Sequence, residues 1–321
     1  MFSVLSSGCT IERILFVTLS NIGDVVMTFP VFDRLHSRFP EARITVLSGP
    51  KARGFFTGHP AVGELVIYDK HASLGEKIKM VLALRRQSFQ LAVDMRNSFL
   101  PFLSGAAAST VPEFVRTHDR HMKDKHLARL HRILPAMSVP VKKAALFVSA
   151  ADRSAVAAFL PVNNRYVVVS PGAADDRKRW PADRFAVIVQ RLVKDYACTV
   201  VLAGDRRDGE NVAEILPDLP DGVVNLCGKT NLCQLAAVLS QASFALTNDS
   251  GIMHIASYLD VPVLALFGPT DPFYYGPWGE RSMFLRPGKS MQDIAVQDVM
   301  KILADSFIPD MTREGPVYAR I

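Results

Sequence analysis

The sequence has few cysteines. Four occur among 321 residues (Cys9, Cys198, Cys227 and Cys233), with no C-x-x-C spacing. That excludes a thiolate zinc site or a disulfide framework and predicts buried thiols in a reducing compartment, hence a cytoplasmic location and no structural metal. No apolar run approaches the ~20 residues needed to span a bilayer. The opening "MFSVLSSGCTIER" lacks a basic n-region and has only "FSVL" as an apolar core, too short for a signal peptide or for a lipoprotein reading of Cys9. Neither half carries G-x-G-x-x-G after its first strand, which counts against a dinucleotide oxidoreductase. Blocks of basic residues typical of nucleic-acid-binding arms are also missing, so no nucleic-acid partner is expected.

What is present describes an ordinary globular protein. With 49% hydrophobic and 21% charged residues, the chain is long enough for two domains of roughly 150 residues each. The net charge of +6 favours an anionic partner: nucleic acid, a membrane surface or an acidic substrate. Basic residues concentrate in "RTHDRHMKDKHLARLHR" (116–132) and "RKRW" (177–180). A solvated helix face explains the first cluster equally well.

Buried parallel strands read as short β-branched runs followed by helical periodicity. The first half offers strands at 13–19, 43–48, 64–69 and 91–95, with amphipathic helices over 24–39 and 73–87. After a Pro- and Lys-containing passage at 134–150 the pattern restarts. Strands are predicted at 165–171, 198–204, 244–249 and 261–268, with helices at 181–195, 207–216, 231–242 and 251–259. Pro181 suits the first turn of its helix. Ser290 and Asp293 form a capping box for a last helix over 290–307. Two β/α series predict an N-terminal Rossmann-like domain (1–150), a second over 151–309, and a tail (310–321). In such sheets ligands bind at the carboxyl ends of strands, which places a site at the cleft between the domains.

Four stretches carry candidate chemistry. In "TNDSGIMHIAS" (247–257), Ser250 and Gly251 open a helix whose first N–H groups suit an anion, and Asp249 at the strand end suits ribose or backbone donors. His254 lies on the side of Ser250 by i, i+4 spacing. Taken alone, the stretch reads better as an ordinary capped helix with a packed histidine. In "SPGAADDRKRWPADRF" (170–185), Arg177, Lys178 and Arg179 precede a helix start, and a diphosphate among them relieves mutual repulsion. Balance by Asp175 and Asp176 in a solvated loop is the alternative. "LFGPTDPFYYGPWG" (266–279) reads as a rigid rim loop in which Tyr274 and Tyr275 are structural. In "LSNIGDVVMTFP" (19–30), Gly23 keeps the turn tight. Asp24 either complements the helix dipole or serves as a general base, and the two roles are compatible.

Taken together, "LSNIGDVVMTFPVFDRLHSRFPEARITVL", "KRWPADRF", "NDSGIMHIAS" and "ALFGPTDP" resemble glycosyltransferase family 9, the ADP-heptose:lipopolysaccharide heptosyltransferases, over residues 12 to 305. The resemblance implies a GT-B fold of two doubly wound α/β domains facing each other across a cleft. The acceptor is bound by the N-terminal domain and the nucleotide sugar by the C-terminal one. It implies inverting transfer from an ADP-activated donor without an obligatory metal or other cofactor. By position, the family's catalytic aspartate falls on Asp24 and its phosphate-binding lysine on Lys178. The nucleotide and phosphate segment falls on Asp249, Ser250, Gly251 and His254. Arg179 and the N–H groups from Ser250 to Ile252 join them in receiving the departing ADP, and Asp208 is the acidic residue expected near the nucleotide. Ala173 and Ala174 stand where some members have hydroxyl residues.

The same resemblance gives the basic stretch a partner, the anionic Kdo or phosphorylated inner core of lipopolysaccharide. Arg96, Arg120 and Lys123 are the acceptor-binding candidates, and the enzyme is expected to touch the cytoplasmic face of the inner membrane peripherally. A GT-B enzyme using another nucleotide sugar or acceptor, and a nucleotide-sugar-binding module without catalysis, remain open at this point.

Overall fold

Five parallel strands order the first half of the chain in the computed structural model, which describes residues 11–110, 121–134, 140–161, 165–215 and 220–309. They are β1 (Arg13–Val17), β2 (Arg43–Ser48), β3 (Val62–Ile67), β4 (Leu91–Asp94) and β5 (Ala108–Ser109). Their helices are α1 (Ile22–Arg38), α2 (Arg53–Phe56), α3 (Leu74–Arg85), α4 (Leu100–Leu103) and α5 (Met122–His131). The sheet order is β3-β2-β1-β4-β5, with Ile14 opposite both Ile44 and Leu91. Helices cover both faces, so β1 and β2 are buried along almost their whole length and read as unbroken apolar runs. Against one face, Phe29, Phe32, Phe55 and Phe56 pack largely edge to face, Phe29 and Phe55 at 5.2 Å.

The second half repeats the architecture with six parallel strands: β6 (Tyr166–Ser170), β7 (Thr199–Leu202), β8 (Val223–Asn225), β9 (Ala245–Asn248), β10 (Val263–Leu266) and β11 (Ser282–Leu285). The helices are α6 (Ala150–Ala157), α7 (Ala182–Tyr196), α8 (Arg206–Ile215), α9 (Leu232–Ser240), α10 (Gly251–Tyr258), α11 (Pro272–Tyr275) and α12 (Val296–Ser306). The sheet order is β11-β10-β9-β6-β7-β8. Its core gathers Val167, Val169, Leu246 and Leu264 from the strands with Phe185, Ile188 and Leu192 from α7. The two compact units divide between Phe147 and Val148.

Both sheets are doubly wound, and each reverses its winding once: between β1 and β4 in the first, between β6 and β9 in the second. The carboxyl ends of strands at such a reversal leave a crevice where ligands bind.

The structure departs from the sequence reading in small ways with physical causes. The edge strands β5, β8 and β11 carry no buried apolar run; β8 is half-buried throughout and β11 is half-exposed. α3 is not amphipathic: Leu84 is buried, while Leu74, Ile78 and Leu82 on its other side face solvent. The Ser290/Asp293 capping box closes only a single 3-10 turn (Met291–Asp293) before α12, and Pro181 stands at the N-cap of α7 rather than inside it. Among the described residues no helix is long and apolar enough to cross a membrane.

Candidate active site

Asp24 sits in the first turn of α1, just past the carboxyl end of β1, half-exposed. The Asn21 side-chain amide donates to its Oδ2 at 3.0 Å. Gly23 is the second residue of α1 and not part of the turn before it. The glycine that makes this loop possible is Gly49, after β2: a Cβ there falls 2.7 Å from the Cα, Cβ and Oγ of Ser20. The Gly49 N–H also donates to the Leu19 carbonyl at 3.2 Å.

Arg96 braces the same loop from the end of β4. Its Nε donates to the Thr18 carbonyl at 2.7 Å and its Nη2 to the Ser20 hydroxyl at 2.8 Å, while the guanidinium lies 4.6 Å from the Tyr68 ring centre. Arg96 is held in turn by Asp94, whose carboxylate accepts from the backbone N–H groups of Arg96 and Ser98 and from the Ser98 hydroxyl, all at 2.7 Å. Burial raises the Asp94 pKa, opposed by those hydrogen bonds and by Arg129. Lys123, near the start of α5, pairs with Asp124 beside it. Arg120 lies outside the described residues.

The second cluster surrounds the carboxyl ends of β6 and β9. The basic stretch 177–179 is resolved into separate ion pairs. Arg177 turns outward onto Asp175 at 2.7 Å, which lowers the Asp175 pKa to about 2. Lys178 reaches Asp249 at 2.8 Å, and Arg179 reaches Asp208 at 2.9 Å and Asp176 at 3.2 Å. Asp208 and Asp249 are both buried. Two of the three cations are therefore fixed in place by buried carboxylates.

Asp208 is wedged between two backbone turns. A Cβ on Gly172 falls 2.0 Å from its Oδ2, and one on Gly204 falls 2.6 Å from the same atom. The carboxylate also accepts from the Asp205 N–H at 2.9 Å. Burial raises its pKa, and Arg179 opposes the rise. An apolar crevice of about 180 Å³, lined among others by Val169, Trp180, Phe185 and Leu202, opens beside this Arg179–Asp208 pair.

Ser250 occupies the N-cap position of α10, but its hydroxyl caps nothing; buried, it makes no hydrogen bond to any described residue. The first amides of α10, from Gly251 and Ile252, start at the same point beside the Lys178–Asp249 pair. An unspent hydroxyl, the start of a helix and a held cation together make an anion site. His254, one turn on and buried, lies against the Trp278 ring at 5.5 Å.

The sequence reading missed Asn248 and Trp278. Asn248 accepts from the Trp180 N–H at 3.2 Å and donates to the Pro171 carbonyl at 2.7 Å, tying the cation-bearing loop to β9. Its position immediately before Asp249 at a strand end was the available signal. For Trp278 there was only its place in the Gly/Pro-rich rim loop. Among the described residues no three His, Cys, Asp or Glu side chains gather as metal ligands do.

With this geometry in view, comparison with known proteins is decisive. The profile of glycosyltransferase family 9 (heptosyltransferase) matches residues 78–303. The chain belongs to this family of glycosyltransferases. Lipopolysaccharide heptosyltransferase 2 of Escherichia coli K12 is 28% identical over 306 residues, covering 85% of this chain and 88% of its own. The solved structure of E. coli ADP-heptose lps heptosyltransferase II is 27% identical with a TM-score of 0.75, covering 93% of this chain and 99% of that one. A glycosyltransferase family 9 structure from Veillonella parvula superposes with a TM-score of 0.81 at 23% identity, covering 93% and 98%. The expected family and the GT-B fold class of paired Rossmann-like units are thereby established, and the relatives point to heptosyl transfer in lipopolysaccharide core synthesis.

Proposed function

We propose that this enzyme transfers a heptose from ADP-heptose, with inversion, to the anionic inner core (Kdo or heptose) of lipopolysaccharide, with Asp24 as the general base. The observation that carries the reading is the anion site of the second unit: Lys178 on Asp249, beside the unspent Ser250 hydroxyl and the first amides of α10. Its relatives, a lipopolysaccharide heptosyltransferase and an ADP-heptose lps heptosyltransferase, support the choice of sugar and nucleotide.

Inverting transfer needs the acceptor hydroxyl deprotonated as its oxygen attacks the anomeric carbon opposite the leaving group. A half-exposed carboxylate steadied by Asn21 on a braced loop suits that task. As the glycosidic C–O bond breaks, negative charge collects on the β-phosphate of ADP. Lys178, Arg179, the Ser250 hydroxyl and the amides through Ile252 receive it; Asp249 and Asp208 position the two cations. Because these donors are fixed before the reaction, no metal is required and activity persists in EDTA. Asp249 and His254 lie where the nucleotide is held. Arg96 and Lys123, with Arg120, are proposed on the acceptor side, and the enzyme acts peripherally at the cytoplasmic face of the inner membrane.

The test is Asp24→Asn. ADP should stabilise this variant against heat as it does the parent, while transfer from ADP-heptose, followed by product mass, falls about 10²–10⁴-fold. Undiminished transfer refutes the base assignment. Stabilisation by UDP or GDP but not ADP refutes the donor.

A further inference from the structure

The first unit exposes an apolar surface that its core does not explain. On α3, Leu74, Ile78 and Leu82 recur every fourth residue and so stand on one side of the helix. Leu74 is 74% exposed, and its two companions about half. Beside them lie Phe99, 72% exposed, and Phe102 and Leu103 on α4, with Phe102 81% exposed. The two helices are neighbours: Met80 of α3 and Leu100 of α4 pack into one cluster over β1 and β4, and the Arg85 side chain lies against Gly105 just after α4. Six large apolar side chains on one face far exceed the scatter expected on a soluble surface.

We propose that this α3–α4 face docks on an anionic lipid bilayer. Charge decides between a bilayer and other occupants. From Leu74 to Gly105 the chain carries Lys77, Lys79, Arg85, Arg86 and Arg96, of which Lys79, Arg85 and Arg86 are exposed. Its two acids are both engaged: Glu76 accepts from the Ser73 N–H and hydroxyl in the α3 capping box, and Asp94 is buried, accepting from the Arg96 and Ser98 N–H groups and the Ser98 hydroxyl. Arg85 falls eleven residues after Leu74, on the apolar stripe itself, so cations edge the face that the leucines form. Apolar side chains ringed by lysine and arginine match acyl chains beneath anionic headgroups. A second copy of this chain, docked through the same face about a two-fold axis, sets these cations against themselves.

The position of the face fits the site. Phe99 follows Arg96 by three residues, a reach of at most about 11 Å, and Arg96 is bonded to Thr18 and Ser20 of the loop that carries Asp24. Docking here brings headgroups to the side of the first unit where the proposed base lies. For its purpose the inference rests on the proposed lipid-anchored acceptor; the surface itself does not.

The full chain is mixed with vesicles of phosphatidylglycerol and phosphatidylethanolamine, or of phosphatidylcholine alone, and sedimented. Binding is expected to the anionic vesicles, weakened by salt and lost with Arg85→Ser/Arg86→Ser. Ile78→Ser and Phe102→Ser each lower vesicle affinity about tenfold, while far-UV dichroism and transfer to a delipidated core oligosaccharide stay unchanged. Equal binding by parent and apolar variants overturns the proposal, as does absence of binding by the parent. A concentration-dependent dimer that Phe102→Ser abolishes, without vesicle binding, overturns it in favour of a second copy. Vesicle binding that follows this pattern without transfer to the delipidated acceptor supports the surface and refutes the heptosyl reading instead.

Discussion

Replacing Gly172 with alanine is a sharp test of how the donor-side charges are held. The added methyl falls 2.0 Å from Oδ2, 2.4 Å from Cγ and 2.5 Å from Oδ1 of Asp208. Nonbonded carbon contacts settle near 3.5–4.0 Å, so the carboxylate must retreat by roughly 1.5 Å. It has nowhere to go without cost. It is 5% exposed, it accepts from Arg179 and Asp205 at 2.9 Å each, and the Gly204 backbone comes close to the same Oδ2. Losing those two charge-assisted bonds costs about 3 kcal/mol in all. For a unit of this size that lowers the midpoint of thermal unfolding by roughly 6–12 °C, readable by circular dichroism.

The decisive comparison is a double-mutant cycle. With Asp208→Ala already in place there is no carboxylate to displace, so adding Gly172→Ala costs little. The coupling between the two sites should be about 3 kcal/mol. Additive losses, or a Gly172→Ala midpoint equal to the parent's, refute the account of Asp208 as a wedged positioning residue.

Two further changes probe the first unit. Arg96→Lys keeps a charge but cannot bridge Thr18 and Ser20 while lying over Tyr68; kcat should fall as the Asp24 loop loosens and the acceptor KM should rise, and an unchanged acceptor KM refutes the placing of Arg96 on the acceptor side. His126 is buried on α5, and burial, with Arg129 and His121 nearby, lowers its pKa to about 4. The unfolded chain takes up a proton near pH 6.5 that the folded chain refuses until about pH 4. Stability therefore rises with pH across this window, and acidification through it removes up to about 3 kcal/mol. Urea midpoints at pH 7 and 4.5 should differ less in His126→Gln than in the parent, and equal differences rule the assignment out.

The central strands were legible because burial on both faces turns them into unbroken apolar runs, as in "RILFV" and "YVVVS". The edge strands were not, since a half-exposed pair such as Ala108–Ser109 owes its conformation to its neighbour and not to its own composition. The periodicity over 73–87 misled for a related reason. α3 is apolar on two sides, and a helical repeat alone does not say which side the core takes. At the site, the motif residues stood out, but their partnerships did not. Lys178 and Asp249 are 71 positions apart, and only the adjacency of β6 and β9 brings them together. The close approach that Gly172 and Gly204 allow to Asp208 has no one-dimensional trace beyond the glycines themselves.

The tryptophans lend themselves to one last use. The chain has two, and both stand at the proposed donor site. Trp180 is fully buried, its indole N–H given to the Ile294 carbonyl at 3.0 Å; Trp278 is half-buried against His254. The protein thus carries its own fluorophores in two unlike settings, one sealed and one beside an imidazole. Trp180→Phe leaves a single emitter at the rim of the anion site, where nucleotide occupancy can be followed in real time without a label.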